Sequence, residues 1–288
     1  MTAVRSLLFN LYFYGLTTVM AVAGLPLLLG PRGWVAGWRD LWVRLSLAGL
    51  AAIAGLRHQV TGGDRLAAGP FLVAAQHQSA WETLALHSLV DDPALVLKRE
   101  LYRIPLFGLY LAKTGMAAID RAGGAGALKR MVADAGRLAG SGRPILIFPQ
   151  GTRVAPGQAA PYHPGVYAVY KALGLPCLPV ALNSGYFWGR TAFTKRAGVI
   201  TLACLEPIPP GLDRKAFMAL LQERLEGAAA GLDADARRQL AAGRPVSGAT
   251  MWARPACQHP AGRSSSTTGA ARRDWRRWAA ASQTSSRP

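Results

Sequence analysis

The chain has 288 residues, 51% of them hydrophobic, which is enough apolar material to bury the core of one large domain or two small ones. Lys and Arg outnumber Asp and Glu 33 to 15, a formal charge of +18, so phosphates, nucleic acid or acidic lipid are the expected kinds of partner and cationic ones are not. Cys177, Cys204 and Cys257 are odd in number and widely spaced, which excludes a disulfide framework or a thiolate zinc cluster and points to a reducing, cytosolic face.

The chain opens with Leu7 through Leu29, 23 residues without a charge, long enough to cross a hydrocarbon core of roughly 30 Å as a helix. A second apolar helix is predicted over Leu41 to Leu56. Arg32, Arg39 and Arg57 flank the pair, and Trp34, Trp38 and Trp42 edge it, as in segments that sit in or on a bilayer. The alternative is a pair of buried helices packed on the domain that follows. The opening run continues too far, and without a small-residue exit site, to read as a secretory signal.

From about Gln59 the pattern alternates. Short apolar runs predict buried strands at Phe71 to Ala75, Ala94 to Leu97, Gly115 to Ile119, Pro144 to Phe148, Cys177 to Leu182 and Val199 to Leu205. Helical stretches lie between them at Trp81 to Val90, Leu106 to Thr114, Ala125 to Ala139 and Gly165 to Leu173. This order predicts an α/β domain with a mixed, largely parallel sheet flanked by helices. Asp213 to Leu225 reads as a closing amphipathic helix. Beyond Gly243 periodicity ends, and Arg244 to Pro288 holds eight arginines against Asp274 alone, a low-complexity basic tail expected to be disordered. Its R-R-D-W-R-R-W segment, Arg272 to Trp278, mixes cations with indoles. The expected divisions are therefore residues 1–57 as anchor helices, 58–243 as the main domain and 244–288 as the tail.

Gln76 to Thr83, Q-H-Q-S-A-W-E-T, carries the strongest chemical signal. His77 and Glu82 stand five apart, which on one continuous helix points them about 140° away from each other, so they meet only if His77 precedes the helix. Ser79 supplies that start, with Glu82 three residues on as an S-x-x-E capping box. Glu82 then either caps its helix or orients His77 as a general base, and its two oxygens allow one to cap while the other holds the imidazole. Lys98 and Arg99 follow one strand and Arg121 another, a placement suited to a phosphate or to a solvated basic rim. Pro144 to Arg153, P-I-L-I-F-P-Q-G-T-R, is a strand that turns through Gly151 and leaves Thr152, Arg153 and backbone amides at the same strand-end region. Gly123 to Gly126 matches no nucleotide-binding pattern and reads as a flexible lead into the next helix. His58, His87, His163 and His259 lack partners at metal spacing, so no metal is expected.

Together these segments resemble the glycerolipid acyltransferases, typified by 1-acyl-glycerol-3-phosphate (lysophosphatidate) acyltransferases. The family's His, four residues, Asp motif is similar to His77 and Glu82, with the longer carboxylate. Its second block resembles Lys98-Arg99-Glu100-Leu101, then Pro105-Leu106-Phe107-Gly108, ending at Ile119-Asp120-Arg121. Its F-P-E-G-T-R block resembles Phe148 to Arg153 with Gln150 for Glu, and its V-P-V-type strand is similar to Cys177-Leu178-Pro179-Val180. The resemblance implies transfer of a fatty acyl group from acyl-CoA or acyl carrier protein to a lysophospholipid hydroxyl at a cytoplasmic membrane, giving phosphatidic acid. It implies no cofactor beyond that thioester and no nucleic-acid partner. His77 is then the base and Glu82 its partner, with Lys98, Arg121, Gly151, Thr152 and Arg153 on the substrate. Another lysophospholipid or a lyso-aminolipid as acceptor stays open, as does a non-catalytic membrane protein that binds anionic lipid or nucleic acid.

Overall fold

In a computed structural model, residues 1–67, 71–120 and 123–242 are described. Arg121 and the tail from Arg244 to Pro288, with its Arg272 to Trp278 segment, lie outside the described residues. The chain begins with α1 (Thr2–Ala23), a 3-10 turn at Leu25–Leu29, and α2 (Arg32–Gly49), which runs into a π turn at Leu50–Ala54. Gly55, at φ 69°, ends that turn in the left-handed region where a side chain is strained. Then come β1 (Leu56–Thr61), α3 (Asp64–Ala67), β2 (Leu72–Ala75), α4 (Trp81–Leu89), β3 (Ala94–Lys98), α5 (Phe107–Thr114) and β4 (Ala117–Ile119). The order continues with α6 (Gly124–Gly140), β5 (Ile145–Ile147), α7 (Gly165–Leu173), β6 (Cys177–Leu182), α8 (Ser184–Phe187), β7 (Gly198–Cys204) and α9 (Arg214–Ala242).

Among the described residues seven strands form one sheet in the order β1-β7-β6-β2-β5-β3-β4. β6, β2, β5, β3 and β4 run parallel, with Leu72 opposite both Ile145 and Cys177, while β7 is antiparallel to β6 and β1 parallel to β7. The central strands are apolar without alternation because both of their faces are covered. Val73 and Ala75 of β2 face a core shared with α4 and the N-terminal helices, and Leu72 and Ala74 face a second core built with α6, α7 and α9. The expected mixed, largely parallel α/β sheet is present.

Three stretches differ from the expectation. β1 reads R-H-Q-V-T after its first residue, too polar to predict as buried, and it sits at the sheet edge with Arg57 and Thr61 exposed. The second helix starts at Arg32, not Leu41, and gives way to β1 at Leu56. The closing helix extends to Ala242 instead of stopping at Leu225, because contacts distant in sequence hold its second half. There the Gln239 amide pairs with both backbone polar groups of Val199 in β7, accepting from N–H at 2.9 Å and donating to C=O at 3.2 Å. Such an amide does the work of a neighbouring strand, which hydrophobic periodicity does not reveal.

The two N-terminal helices form an antiparallel hairpin. Tyr12 donates to the Leu45 carbonyl, Trp42 Nε1 to Thr17 Oγ1 and Trp38 Nε1 to the Met20 carbonyl. At Gly49 a Cβ would stand 2.1 Å from the Tyr12 ring, so the glycine is what lets α1 approach α2. One side of the hairpin belongs to the domain core: Phe9, Val43, Leu47 and Leu50 cluster with sheet residues. Ser6 exchanges hydrogen bonds with both backbone groups of Lys195, whose buried ammonium donates to Asn10 Oδ1 and the Phe193 carbonyl. The other side leaves Leu7, Leu8, Leu11, Tyr14, Val19 and Val22 exposed, and α1 is long and apolar enough to cross a membrane by length and composition.

Candidate active site

β2 ends at Ala75 with Gln76 buried beneath it, and the next residues climb out of the sheet before α4 starts at Trp81. His77 thus precedes the helix, as its spacing from Glu82 requires. Its Nδ1 lies 2.8 Å from Glu82 Oε1. That same oxygen accepts the backbone N–H groups of Gln78 at 2.7 Å and Ser79 at 2.6 Å. Ser79 Oγ in turn accepts the N–H of Trp81 at 3.1 Å, two residues on where a full capping box would use the third, and the regular helix begins at Trp81.

Glu82 therefore caps and orients at once, but not by giving one oxygen to each task. Oε1 does both, and Oε2 accepts the Ser184 hydroxyl at 2.8 Å. With no part of Glu82 exposed, these four donors replace water around the carboxylate. A carboxylate accepts and does not donate, so the histidine donates from Nδ1 and Nε2 is the nitrogen left to exchange a proton. The His77 side chain keeps 15% exposure.

The loop after β5 fixes the rest of His77. The Phe148 ring stacks on the imidazole with centroids 4.0 Å apart and planes 15° from parallel. Gln150 Oε1 accepts the His77 N–H at 3.0 Å, and Val154 N–H donates to the His77 carbonyl at 2.7 Å. Both bonds to the loop need only a neutral acceptor and a neutral donor, so glutamine at position 150 serves without a charge. Gly151 takes φ 63° at the turn, and its N–H is spent on the Phe148 carbonyl. Thr152 is exposed, and Arg153 donates to the Arg190 carbonyl at 2.9 Å.

Parallel pairing carries the remaining candidates to the same end of the sheet. The exits of β6, β2, β5, β3 and β4 lie side by side, and they hold Ser184, His77, Phe148 to Arg153, Lys98 and Asp120 in that order. Lys98 is the last residue of β3, exposed, and pairs in register with Ile119 of β4. Arg99 beyond it forms an ion pair with Asp120 at 3.6 Å. Sequence reasoning missed Ser184. The only signal was the polar triplet Asn183-Ser184-Gly185 directly after an apolar strand. Phe148 and Gln150 were visible as motif residues, but the sequence does not reveal what they touch.

A basic nitrogen with a buried carboxylate behind it, at strand ends lined by cations, suits general-base activation of a hydroxyl. Residues 57–183 match the family model described as Acyltransferase. This stretch is an acyltransferase-family domain. A 1-acyl-sn-glycerol-3-phosphate acyltransferase of Pseudomonas aeruginosa is 36% identical over 159 residues, covering 55% of this chain and 62% of that protein. The chain thus spans somewhat less than two thirds of that relative's length. The human 1-acyl-sn-glycerol-3-phosphate acyltransferase beta is 29% identical over 203 residues, 67% of this chain and 70% of the relative. In fold the chain is similar to the crystal structure of a 1-acyl-sn-glycerophosphate acyltransferase from Thermotoga maritima. The TM-score is 0.67 at 22% identity, over 81% of this chain and 98% of the other. In this acyltransferase domain His77, Glu82 and the Phe148 to Arg153 loop all fall within the matched residues.

Proposed function

We propose that this chain moves a fatty acyl group from a thioester, acyl-CoA or acyl carrier protein, to the free hydroxyl of 1-acyl-glycerol-3-phosphate, giving phosphatidic acid. The observation that carries the reading is the 2.8 Å contact between His77 Nδ1 and Glu82 Oε1, which leaves Nε2 to work on the acceptor. The curated relatives that bear this activity in their names support the choice of acceptor.

In the proposed reaction the acceptor hydroxyl oxygen attacks the thioester carbonyl carbon while Nε2 takes the hydroxyl proton. The buried carboxylate stabilises the imidazolium that forms. When the C–S bond breaks, the imidazolium returns its proton to the departing thiolate, so no acyl-enzyme is required. Lys98, Arg121 and Arg153 are assigned to the acceptor phosphate, with the Thr152 hydroxyl and the Gly151 turn beside it. The exposed apolar face of α1 is assigned to membrane lipid, where both acyl chains reside, with the catalytic end of the sheet on the cytosolic side.

The test is acyl transfer from a long-chain acyl thioester to lysophosphatidate by the purified chain in detergent or vesicles, wild type beside His77→Ala. Transfer by the wild type and its loss in the variant are expected. Retained turnover in His77→Ala removes His77 as the base, and a wild type that acylates only other lysolipids changes the acceptor.

A further inference from the structure

The short turn after β6 is tied to the dyad at two points. Ser184 Oγ donates to Glu82 Oε2 at 2.8 Å, and the N–H of Gly185 donates to Gln78 Oε1 at 3.0 Å. Ser184 is fully buried, and so is Asn183 before it. Asn183 anchors the turn from behind. Its Oδ1 accepts the Thr201 N–H of β7, and its Nδ2 donates to the Leu232 carbonyl of α9. The front is equally close. A Cβ on Gly185 would stand 2.7 Å from Pro156 and 3.0 Å from the Gln78 Cβ, so the turn is wedged between the residue beside His77 and the loop that holds it.

We infer that Ser184 is a positioning residue for the dyad, the group that sets the angle of the Glu82 carboxylate. The chemistry is specific to this chain's longer carboxylate. Rotation about the last bond of a glutamate side chain is soft. Three donors on Oε1 hold the carboxylate from one side. The hydroxyl on Oε2 holds it from the other, so the group resists rotation at both oxygens and Oε1 keeps its direction towards Nδ1. An aspartate, one methylene shorter, is expected to fall short of reaching both His77 and Ser184. The exit of β6 thus contributes to catalysis on the neighbouring strand without touching substrate.

The inference rests on the acyl-transfer reading, and the experiment separates the two. Ser184→Ala is measured beside wild type, Glu82→Asp and the double variant, with steady-state kinetics and with the ¹⁵N-detected tautomer of the His77 ring. The expected result in Ser184→Ala is a kcat lower by about tenfold, unchanged KM for thioester and lysolipid, and a ring no longer held with its proton on Nδ1. In the Glu82→Asp background the same change should cost less than twofold. Should the alanine variant fail to fold, Ser184→Cys keeps a side chain of similar shape with a weak donor, and the same losses are expected of it. A wild-type tautomer in the folded serine variant overturns the inference, and so does an equal loss of kcat in both backgrounds. If the wild type shows no acyl transfer yet the tautomer shifts in Ser184→Ala, the functional reading falls and the positioning role stands.

Discussion

Gln150 Oε1 accepts the backbone N–H of His77 at 3.0 Å across two neighbouring parallel strands, so the β5 exit loop holds His77 by its main chain. The contact asks for an acceptor oxygen, which a carboxamide and a carboxylate both supply. Gln150→Glu is therefore expected to keep kcat within about threefold. Gln150→Leu leaves a part-buried N–H unpaired and should lower kcat by about tenfold, a cost of ~1–2 kcal/mol. Parallel kinetics of the two variants check this. A collapse in Gln150→Glu would show that position 150 does more than hold the main chain.

Glu82→Gln keeps the shape and loses the charge that stabilises an imidazolium. Its amide nitrogen, placed where Oε1 was, would also meet three donors with none to accept. The expected loss in kcat is about 10²-fold, with thioester and lysolipid KM little changed. Glu82 caps α4 as well, so a fall in melting temperature should accompany it.

A second cluster joins the N-terminal hairpin to the domain. Asp92 at φ 43° receives Arg32 at 2.7 Å, Arg143 at 3.2 Å and Arg39 at 3.6 Å, and Arg143 also donates to the carbonyls of Asp92, Pro93 and Gly115. Burial pushes the Arg143 guanidinium down to about 10, with Asp92 opposing and Arg32 and Arg39 adding to the shift. Asp92→Ala leaves Arg32 and Arg143 crowded without their shared anion, while Arg39 keeps Asp40 at 2.9 Å, and should destabilise by about 2 kcal/mol. Denaturant unfolding would read it as a lower midpoint with an unchanged slope.

His87 packs against this cluster, and burial together with Arg39 and Arg143 pushes its imidazole down to about 4 from an ordinary 6.5, while the Thr83 carbonyl and Asp92 oppose the shift. The neutral ring donates from Nδ1 to the Thr83 carbonyl at 2.6 Å. Between those two values the unfolded chain binds a proton that the folded chain refuses, so stability falls as pH drops from 6.5 towards 4 and levels off below. The loss attributable to His87 is on the order of 3 kcal/mol. Unfolding curves at pH 7 and pH 4.5 should show it, and His87→Leu should flatten that part of the dependence.

The parts of the fold visible in the sequence are those whose physics is local. Phe71 to Ala75 and Cys177 to Leu182 read as doubly covered strands because every residue is apolar. Helix geometry and the Ser79 cap set the condition under which His77 can meet Glu82, and the resemblance to the acyltransferases chose that pairing over a cap alone. Features fixed by distant contacts were not visible. The β1 strand is polar because it lies at the edge, and the second half of α9 depends on Gln239 meeting Val199. Ser184 meets Glu82 only because β6 pairs with β2, and a single sequence does not contain that pairing. The division of labour at Glu82 is hidden for the same reason. The sequence allows one oxygen to cap while the other holds the imidazole, but Oε1 does both and Oε2 is taken by a residue that follows another strand.

The docking of α1 bears on how this protein can be handled at the bench. Cutting the chain at the start of the matched domain, near residue 57, would remove Phe9, Val43, Leu47 and Leu50 from a core they share with the sheet. It would also take Ser6 and Asn10 away from Lys195, which is 4% exposed as a residue, and open that site to water. A trimmed version made for solubility should therefore aggregate. Replacing the outward residues Leu7, Leu8 and Leu11 with polar ones keeps the inward face intact and is the better route to a detergent-free preparation.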